Sequence, residues 1–382
     1  MLRDWYVFFA PRALVLAAVV CCAAVLMFGA VPTHANAAAT PQPTDTPIPP
    51  LTLYPRLGNP NDSDVKPRGP GLLLMGGGDT VDAAFLWMHD TIAGSRAASG
   101  GDVIVLRASG ENAYDDYLMK LAHWNSVRSV VVGRAATVAD LARVAAMVDH
   151  CQGVFFAGGD QANYARWKGT TLIAAVQRVY DRGGVVGGTS AGLAIQGEYA
   201  YDSVAADAAG ENVEVTSKNA VADPAEPIIS FTHDLLIYPA LRGIITDTHF
   251  HQRDRLGRLA AFLAILRRDN PSQRLMGVGI DAASALVVDK DGVATLKLQG
   301  KGGSAIFLQG GEPQPIVAHR PLIFRNIGVT LLNQDGQTFD FHRWCADALH
   351  YTITVDGTKS PVYAPADPYH APATASMNHC HA

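Results

Sequence analysis

The sequence predicts an α/β protein with a mostly parallel sheet sandwiched by helices and a β-rich C-terminal portion. Through the first two-thirds of the chain, short apolar runs alternate with amphipathic stretches. This βαβ alternation is typical of parallel sheets covered by helices on both faces. Glycine-rich turns follow several of these runs, at the strand ends where such sheets bind ligands. The sequence therefore also predicts a site at that edge.

The predicted strands and helices follow one another in order. The five apolar runs that predict the parallel strands are residues 72–75, 103–106, 130–132, 154–157 and 185–187. Amphipathic patterns predict helices over 79–95, 138–149 and 253–268. After the last helix, four short runs separated by glycines predict the β-rich portion: 275–281, 285–288, 294–298 and 305–308.

The N-terminus has the pattern of a secretory signal peptide. Arg3 and Arg12 precede an apolar stretch over 13–30, and Ala35-Asn36-Ala37 forms a small-x-small cleavage site. The alternative is an uncleaved anchor, because about 18 apolar residues can just span a bilayer. We predict a signal peptide over 1–37, a secreted or periplasmic protein, and no membrane contact after cleavage.

The rest of the 382-residue chain divides by composition. Prolines predict a linker over 38–69, followed by an α/β domain over 70–291, a β-rich portion over 292–357 and a flexible tail over 358–382. The net charge of −5 is spread without a basic block, so no nucleic-acid partner is expected. Of the cysteines after the signal peptide, Cys345 and Cys380 are candidates for a disulfide and Cys151 for a buried free thiol.

The candidate nucleophile is Ser190, in the turn Gly188-Thr189-Ser190-Ala191-Gly192. A buried strand precedes this turn and a helix follows it, which would expose the hydroxyl at a sharp bend beside free backbone N–H groups. The alternative is a serine that only caps the helix. Other residues must decide between the two.

A serine nucleophile needs a base, and the candidate is His249. Arg255 and Arg258 follow it three residues apart, so on a helix they would share one face and suit a substrate that carries a carboxylate. A competing interpretation takes Asp247, His249 and His251 as metal ligands, since alternate residues of an extended strand point the same way. Nucleotide binding is disfavoured because the first glycine turn lacks the lysine of a phosphate-binding loop.

Together these motifs resemble the cyanophycinase and peptidase E family of serine peptidases, the cyanophycinase branch in particular. They are Gly-Gly-Asp-Gln over 158–161, the serine turn, and Asp-x-His-Phe-x-x-Arg-x-Arg-x-x-Arg-Leu over 247–259. The resemblance implies a class I glutamine amidotransferase-like, flavodoxin-like fold with Ser190 as nucleophile and His249 as base. It further implies oxyanion N–H groups from Gly159 and Ala191, and substrate contacts from Gln161, Asp247, Arg255 and Arg258.

The resemblance leaves the triad acid open among Glu198, Asp202, Asp207 and Glu211. Glu211 is the choice, because its offset from Ser190 is closest to the family's if a few residues are inserted. Asp202, Asp207 and Glu211 could alternatively receive a substrate guanidinium.

The activity implied is hydrolysis of cyanophycin, an aspartate backbone with an arginine on each β-carboxyl, to β-Asp-Arg dipeptides. The expected partner is thus a polypeptide, cyanophycin or another aspartyl peptide, with no metal or cofactor, and the resemblance also allows a homodimer. The alternatives are an exported peptidase for other aspartyl peptides and a catalytically silent binding protein on the same fold.

Overall fold

The computed structural model describes residues 49–209 and 214–380. The strands of its first half are β1 (Leu51–Leu53), β2 (Leu57–Gly58), β3 (Gly71–Met75), β4 (Asp102–Arg107), β5 (Ser126–Val132), β6 (Gly153–Phe156), β7 (Val185–Thr189), β8 (Tyr199–Tyr201), β9 (Phe231–His233) and β10 (Ile244–Asp247). Those of its second half are β11 (Met276–Ile280), β12 (Ser284–Val288), β13 (Val293–Leu298), β14 (Ala305–Gln309), β15 (Glu312–Pro313), β16 (Ile323–Leu332), β17 (Thr338–Asp340), β18 (Ala348–Asp356), β19 (Tyr363–Ala364) and β20 (Ser376–Asn378).

The helices connect the strands of the first half. They are α1 (Asp82–Ala93), α2 (Asp115–Leu121), α3 (Val138–Val148), α4 (Gln161–Ala165), α5 (Thr171–Asp181), α6 (Ala191–Ala194), α7 (Val204–Ala209), α8 (Ser217–Ala222) and α9 (Leu256–Asp269), with a 3₁₀ turn at Pro239–Leu241. No helix among the described residues is long and apolar enough to cross a membrane.

The first sheet has a parallel core in the order β5-β4-β6-β7-β3. Antiparallel strands extend it on both sides, with β1 and β2 on β5, and β12, β13 and β17 in turn beyond β3. Every residue of β3, β6 and β7 is buried, as expected for strands covered on both faces. The α/β, flavodoxin-like fold predicted from the sequence is thus confirmed.

The second sheet carries the other half of the site. Its order is β19-β18-β16-β14-β11-β10-β8-β9, and only β8, β10 and β11 run parallel to one another. Helix α9 connects β10 to β11. Its residues 256–266 are all buried. The strand ends of β7 and β10 come close together, since Thr246 Oγ1 donates to Leu193 O at 2.9 Å across the two sheets.

The predicted domain boundaries differ from the structure in three places. Residues 51–53 and 57–58 of the predicted linker are edge strands on β5, because extended backbone there pairs with an open sheet edge. The β-rich portion is continuous with the α/β domain, since β13 pairs with β12 and β14 pairs with β11. The predicted signal peptide lies outside the described residues.

The predicted flexible tail is the third difference. It is ordered to residue 380, because β19 and β20 pair with β18 and a disulfide joins Cys345 to Cys380 with 5.3 Å between their Cα atoms. Cys151 is free and buried, as predicted, and burial raises the pKa of its thiol to about 12. A protonated buried thiol is a poor nucleophile, so Cys151 is not a candidate for the catalytic group.

Candidate active site

Ser190 lies at a sharp bend between β7 and α6. Its backbone has φ 53° and ψ −118°, an uncommon conformation for a residue with a side chain, and Ala191 begins the helix directly after it. The bend is held because Ser190 N donates to Met75 O at 3.1 Å. Helix α6 packs closely on β6, where a Cβ on Gly192 would lie 2.1 Å from Phe156 O. The predicted strand–serine–helix turn is therefore present.

His249 approaches Ser190 from the end of β10. Its Nε2 lies 3.0 Å from Ser190 Oγ, a normal hydrogen-bond distance. The residue has φ 45°, and its N–H donates to Gly76 O at 2.8 Å. The turn after β3 thus fixes both residues, since Met75 holds the serine and Gly76 the histidine. The nucleophile and the base predicted from the sequence lie together.

The surroundings of His249 favour its neutral form. Burial in the protein, with smaller contributions from the positive charges of Arg253 and Arg255, lowers the pKa of His249 to about 4. A histidine with this pKa is unprotonated at neutral pH and has a lone pair available for the serine proton. His249 is therefore in the protonation state that can accept the serine proton.

The predicted oxyanion groups adjoin the nucleophile. Ala191 is the first residue of α6, so its N–H has no acceptor within the helix. Gly158 follows β6, and a Cβ at this position would lie 3.5 Å from the Cβ of Ser190. Gly159 is the next residue. The ends of β6 and β7 therefore lie next to each other at the serine.

The triad acid chosen from the sequence, Glu211, lies outside the described residues. Within the described part of the chain, no carboxylate is hydrogen-bonded to Nδ1 of His249. The other candidates have structural partners: Glu198 accepts from the Gly243 N–H, Asp202 accepts from two hydroxyls and a backbone N–H, and Asp207 pairs with arginines. These three are excluded as the partner of His249.

A charged cleft of about 480 Å³ begins at Gly159, the residue after the glycine that faces Ser190. We call it the Arg255 cleft, and its walls include Gly159, Asp160, Gln161, Asp207, Glu214 and Arg255. Arg255 is buried, donates from Nη2 to Glu214 Oε1 at 2.8 Å, and has no partner for its Nε among the described residues. The cleft therefore presents both carboxylates and guanidiniums beside the nucleophile.

The chain has identifiable relatives among known proteins. The cyanophycinase of Trichormus variabilis is 29% identical over 215 residues, which cover 54% of this chain and 63% of the relative. The cyanophycinase of Synechococcus elongatus is 28% identical over 201 residues, which cover 51% and 54%. Over about half of its length the chain is therefore similar to proteins named cyanophycinase. It spans less than two-thirds of the length of the relatives it matches.

Other comparisons are more distant. A crystal structure of a peptidase from an acI-B1 actinobacterium aligns with a TM-score of 0.43 at 15% identity, covering 72% of this chain and 98% of that one. A putative peptidase E from Listeria monocytogenes aligns with a TM-score of 0.38 at 13% identity, covering 60% and 98%. No family model matches the chain.

Asp247 and Arg258, which the family motif predicts to contact substrate, instead bind each other. Asp247 is buried, does not line the Arg255 cleft, and binds Arg258 through two hydrogen bonds of 2.8 and 2.6 Å. Arg258 also donates to Val215 O at 3.0 Å and lies over the ring of Tyr201. Because its oxygens are occupied, Asp247 orients Arg258 rather than contacting a substrate. Arg258 reaches the cleft wall with most of its donors already bound.

The metal interpretation of the same segment is wrong on geometry. Asp247 faces Arg258, His249 faces Ser190, and His251 stacks on Tyr369 with ring centroids 4.6 Å apart. The three side chains therefore diverge. Within the described residues, no group of three or more metal-ligating side chains comes together.

The tail supplies contacts to the catalytic turn that sequence reasoning missed. Tyr363 and Tyr369 both donate to Asp254 Oδ1, at 2.9 and 2.8 Å, and Tyr369 Oη accepts from Leu256 N at 3.0 Å. Asp254 has φ 44° and lies in the turn between His249 and α9. Glu214 was also missed, although its position just after the acidic stretch that contains Glu211 was a usable signal.

Proposed function

We propose that the chain is a secreted serine peptidase that cleaves cyanophycin to β-Asp-Arg dipeptides through an acyl-enzyme on Ser190. The observation that carries the proposal is the 3.0 Å contact between Ser190 Oγ and His249 Nε2 at a strained strand-to-helix turn. The relatives named cyanophycinase supply the substrate class. The charged cleft beside the serine supplies partners for such a polymer.

The proposed reaction uses two proton transfers through one histidine. His249 Nε2 takes the proton of Ser190 while Oγ attacks a backbone amide carbonyl of the polymer. The N–H groups of Gly159 and Ala191 stabilise the oxyanion, and His249 returns the proton to the departing amine as the C–N bond breaks. Water then adds to the ester by the same route in reverse, which frees the serine and the second product.

The triad acid in this proposal is Glu211. A carboxylate on Nδ1 would fix the tautomer of His249 and stabilise its charged form during the reaction. If no carboxylate reaches the ring, the serine–histidine pair works as a dyad with a base of low pKa.

The chemistry of the polymer matches the Arg255 cleft. Its aspartate carboxyl groups are all used in amide bonds, so the charged groups it presents are arginine guanidiniums and arginine α-carboxylates. Arg255 would bind a carboxylate, because guanidinium and carboxylate form paired hydrogen bonds. Asp160 and Asp207 lie in the same cleft, where they would bind a guanidinium, and Gln161 offers an amide to the backbone.

The secreted location rests on two observations. The predicted signal peptide over 1–37 is one. The other is the Cys345–Cys380 disulfide, a feature that persists in oxidising compartments and is rare where glutathione keeps thiols reduced. An extracellular enzyme of this kind would degrade polymer released by other cells.

The test is incubation of the purified protein with insoluble cyanophycin, followed by mass spectrometry of the soluble products. We expect β-Asp-Arg from the wild type and a loss of about 10⁴-fold or more with Ser190→Ala. Ser99→Ala, a serine at the surface turn before β4, is the control and should retain activity.

A serine-directed fluorophosphonate distinguishes the alternatives. Labelling of Ser190 without release of dipeptide would move the substrate to other aspartyl peptides. Failure of both labelling and release would indicate a binding protein on this fold.

A further inference from the structure

A second cleft is lined by Ser190 itself. We call it the Arg107 cleft. Its volume is about 450 Å³, and its walls include Gly77, Thr80, Arg107, Tyr114, Tyr117 and Ser190. Gly158 lines the Arg107 cleft and its neighbour Gly159 lines the Arg255 cleft, so the two clefts adjoin and a polymer could occupy both.

The Arg107 cleft has an unusual charge. Among the described residues, Arg107 is the only charged side chain that lines it. Arg107 ends β4 and is half-buried, and its Nε donates to Ser109 O at 3.2 Å. No carboxylate of the described residues forms an ion pair with it. In the Arg255 cleft, by contrast, Arg255 and Arg258 each have an acidic partner.

The neighbours of Arg107 keep other acids away and limit water. Tyr117 Oη donates to Asp82 Oδ1 at 2.6 Å, so this carboxylate already has a partner. The ring of Tyr114 packs against Phe85 and Phe155, with centroids 6.2 and 5.3 Å apart, and forms an apolar wall. A half-buried guanidinium beside apolar rings binds an anion more strongly than one in open water does.

We propose that Arg107 binds a substrate carboxylate in the Arg107 cleft and so forms a second specificity site. The inference rests on the proposed function for the identity of that group, an arginine α-carboxylate of the polymer. Arg107 binds substrate and takes no part in proton transfer. The two clefts then each recognise one side chain, which favours cleavage between two arginine-bearing aspartates.

The test compares substrates that differ by one charge. The substrate is a backbone-linked dimer of two β-Asp-Arg units, prepared with both arginine carboxylates free and with either one amidated. Arg107→Met is compared with Arg143→Met, an exposed arginine on α3. For the free dimer we expect kcat/KM to fall about 10- to 100-fold with Arg107→Met, the effect of losing one charge-assisted hydrogen bond, and to change little with Arg143→Met.

The amidated dimers assign the contact to one position. For one of the two singly amidated dimers, wild type and Arg107→Met should have the same kcat/KM within about threefold, because the group that Arg107 binds is already gone. An unchanged kcat/KM on the free dimer would overturn the proposal. An equal loss on all three dimers would also overturn it, because the effect would then not depend on a carboxylate.

A binding measurement tests the role of Arg107 independently of the proposed peptidase activity. If the wild type cleaves no dimer, the proposed function fails, and calorimetric titration with acetylarginine and acetylarginine amide tests Arg107 alone. We expect the acid to bind the wild type at least tenfold more tightly than the amide does, and Arg107→Met to weaken binding of the acid while leaving binding of the amide unchanged. Equal binding of the two compounds by the wild type would refute the assignment of Arg107.

Discussion

The turn after β3 makes a direct test of the catalytic geometry possible, through substitution of Gly77 by alanine. A Cβ at Gly77 would lie 2.3 Å from Nε2 of His249, where ordinary contacts begin at 3.4 Å. The imidazole must therefore retreat by about 1.1 Å, the difference between these distances. The same Nε2 atom holds Ser190 Oγ, so the displacement misaligns the pair that transfers the proton.

We expect Gly77→Ala to lower kcat/KM by about 100-fold, the cost of misplacing a catalytic group by about 1 Å. Folding should survive, because the backbone strain of alanine at φ +107° is about 1–3 kcal/mol in a domain of this size. The assays are turnover of cyanophycin, the rate of fluorophosphonate labelling of Ser190, and the melting temperature.

Gly78→Ala is the matched control. It also places a Cβ on a residue with positive φ, +68°, but that Cβ would lie 2.9 Å from Ala282 Cβ and away from His249. We expect this variant to melt at a similarly lowered temperature and to keep most of its activity. If Gly77→Ala is as active as Gly78→Ala, the catalytic role of the contact between His249 and Ser190 is refuted.

Three further predictions concern the surroundings of the site. The described surroundings of His249 set its pKa at about 4, and the negative charge of Glu211, the proposed triad acid, would raise it. We therefore expect the acid limb of kcat/KM in a pH–rate profile to lie above pH 4, since only the neutral ring accepts the proton; a limb at about 4 would contradict Glu211 as the triad acid. Asp247→Asn leaves Arg258 buried without its counter-charge, so it should lower the free energy of unfolding in urea by about 3–5 kcal/mol. The control is Asp269→Asn, which removes one partner of an exposed ion pair with Arg268 and should cost less than about 1 kcal/mol. Similar losses for both variants would contradict this prediction. Tyr369→Phe removes the hydroxyl that donates to Asp254 and should lower kcat about 10-fold with little change in KM. The control is Tyr351→Phe, which removes a hydroxyl that donates to Pro368 O and should leave kcat unchanged. Equal kcat values for the two variants would show that the turn holds its shape without the Tyr369 hydroxyl.

The parallel core could be predicted from the sequence because its strands are buried on both faces and read as continuous apolar runs. The end positions of those runs then located Ser190 and His249, since residues at the carboxyl ends of neighbouring strands share one edge. Residues 51–53 were missed because prolines at 49, 50 and 55 suggested a linker, although prolines are compatible with edge strands.

The side-chain pairing within the site could not be predicted. Asp247, Arg255 and Arg258 are close in sequence, but which carboxylate binds which guanidinium depends on the directions of long side chains. The tail was read as flexible because its residues are mostly proline, alanine and histidine. Its attachment depends on the disulfide and on a few tyrosine hydroxyls, which no periodicity reveals.

The pairing of β11 with β14 has a consequence for the order in which the protein is made and folded. Five residues of β11 bond to β14, and both strands are almost wholly buried. A fragment ending at residue 291 would leave β11 as an apolar open edge, which is prone to aggregate. Such a fragment therefore has no protected native state.

The β11 edge beside the catalytic turn thus stays open until β14 has left the ribosome, on the order of 100 residues after Ser190. At about 5–20 residues per second this is roughly 5–25 s. During that interval the apolar edge of β11 is exposed, which makes the nascent chain a target for chaperones and for aggregation.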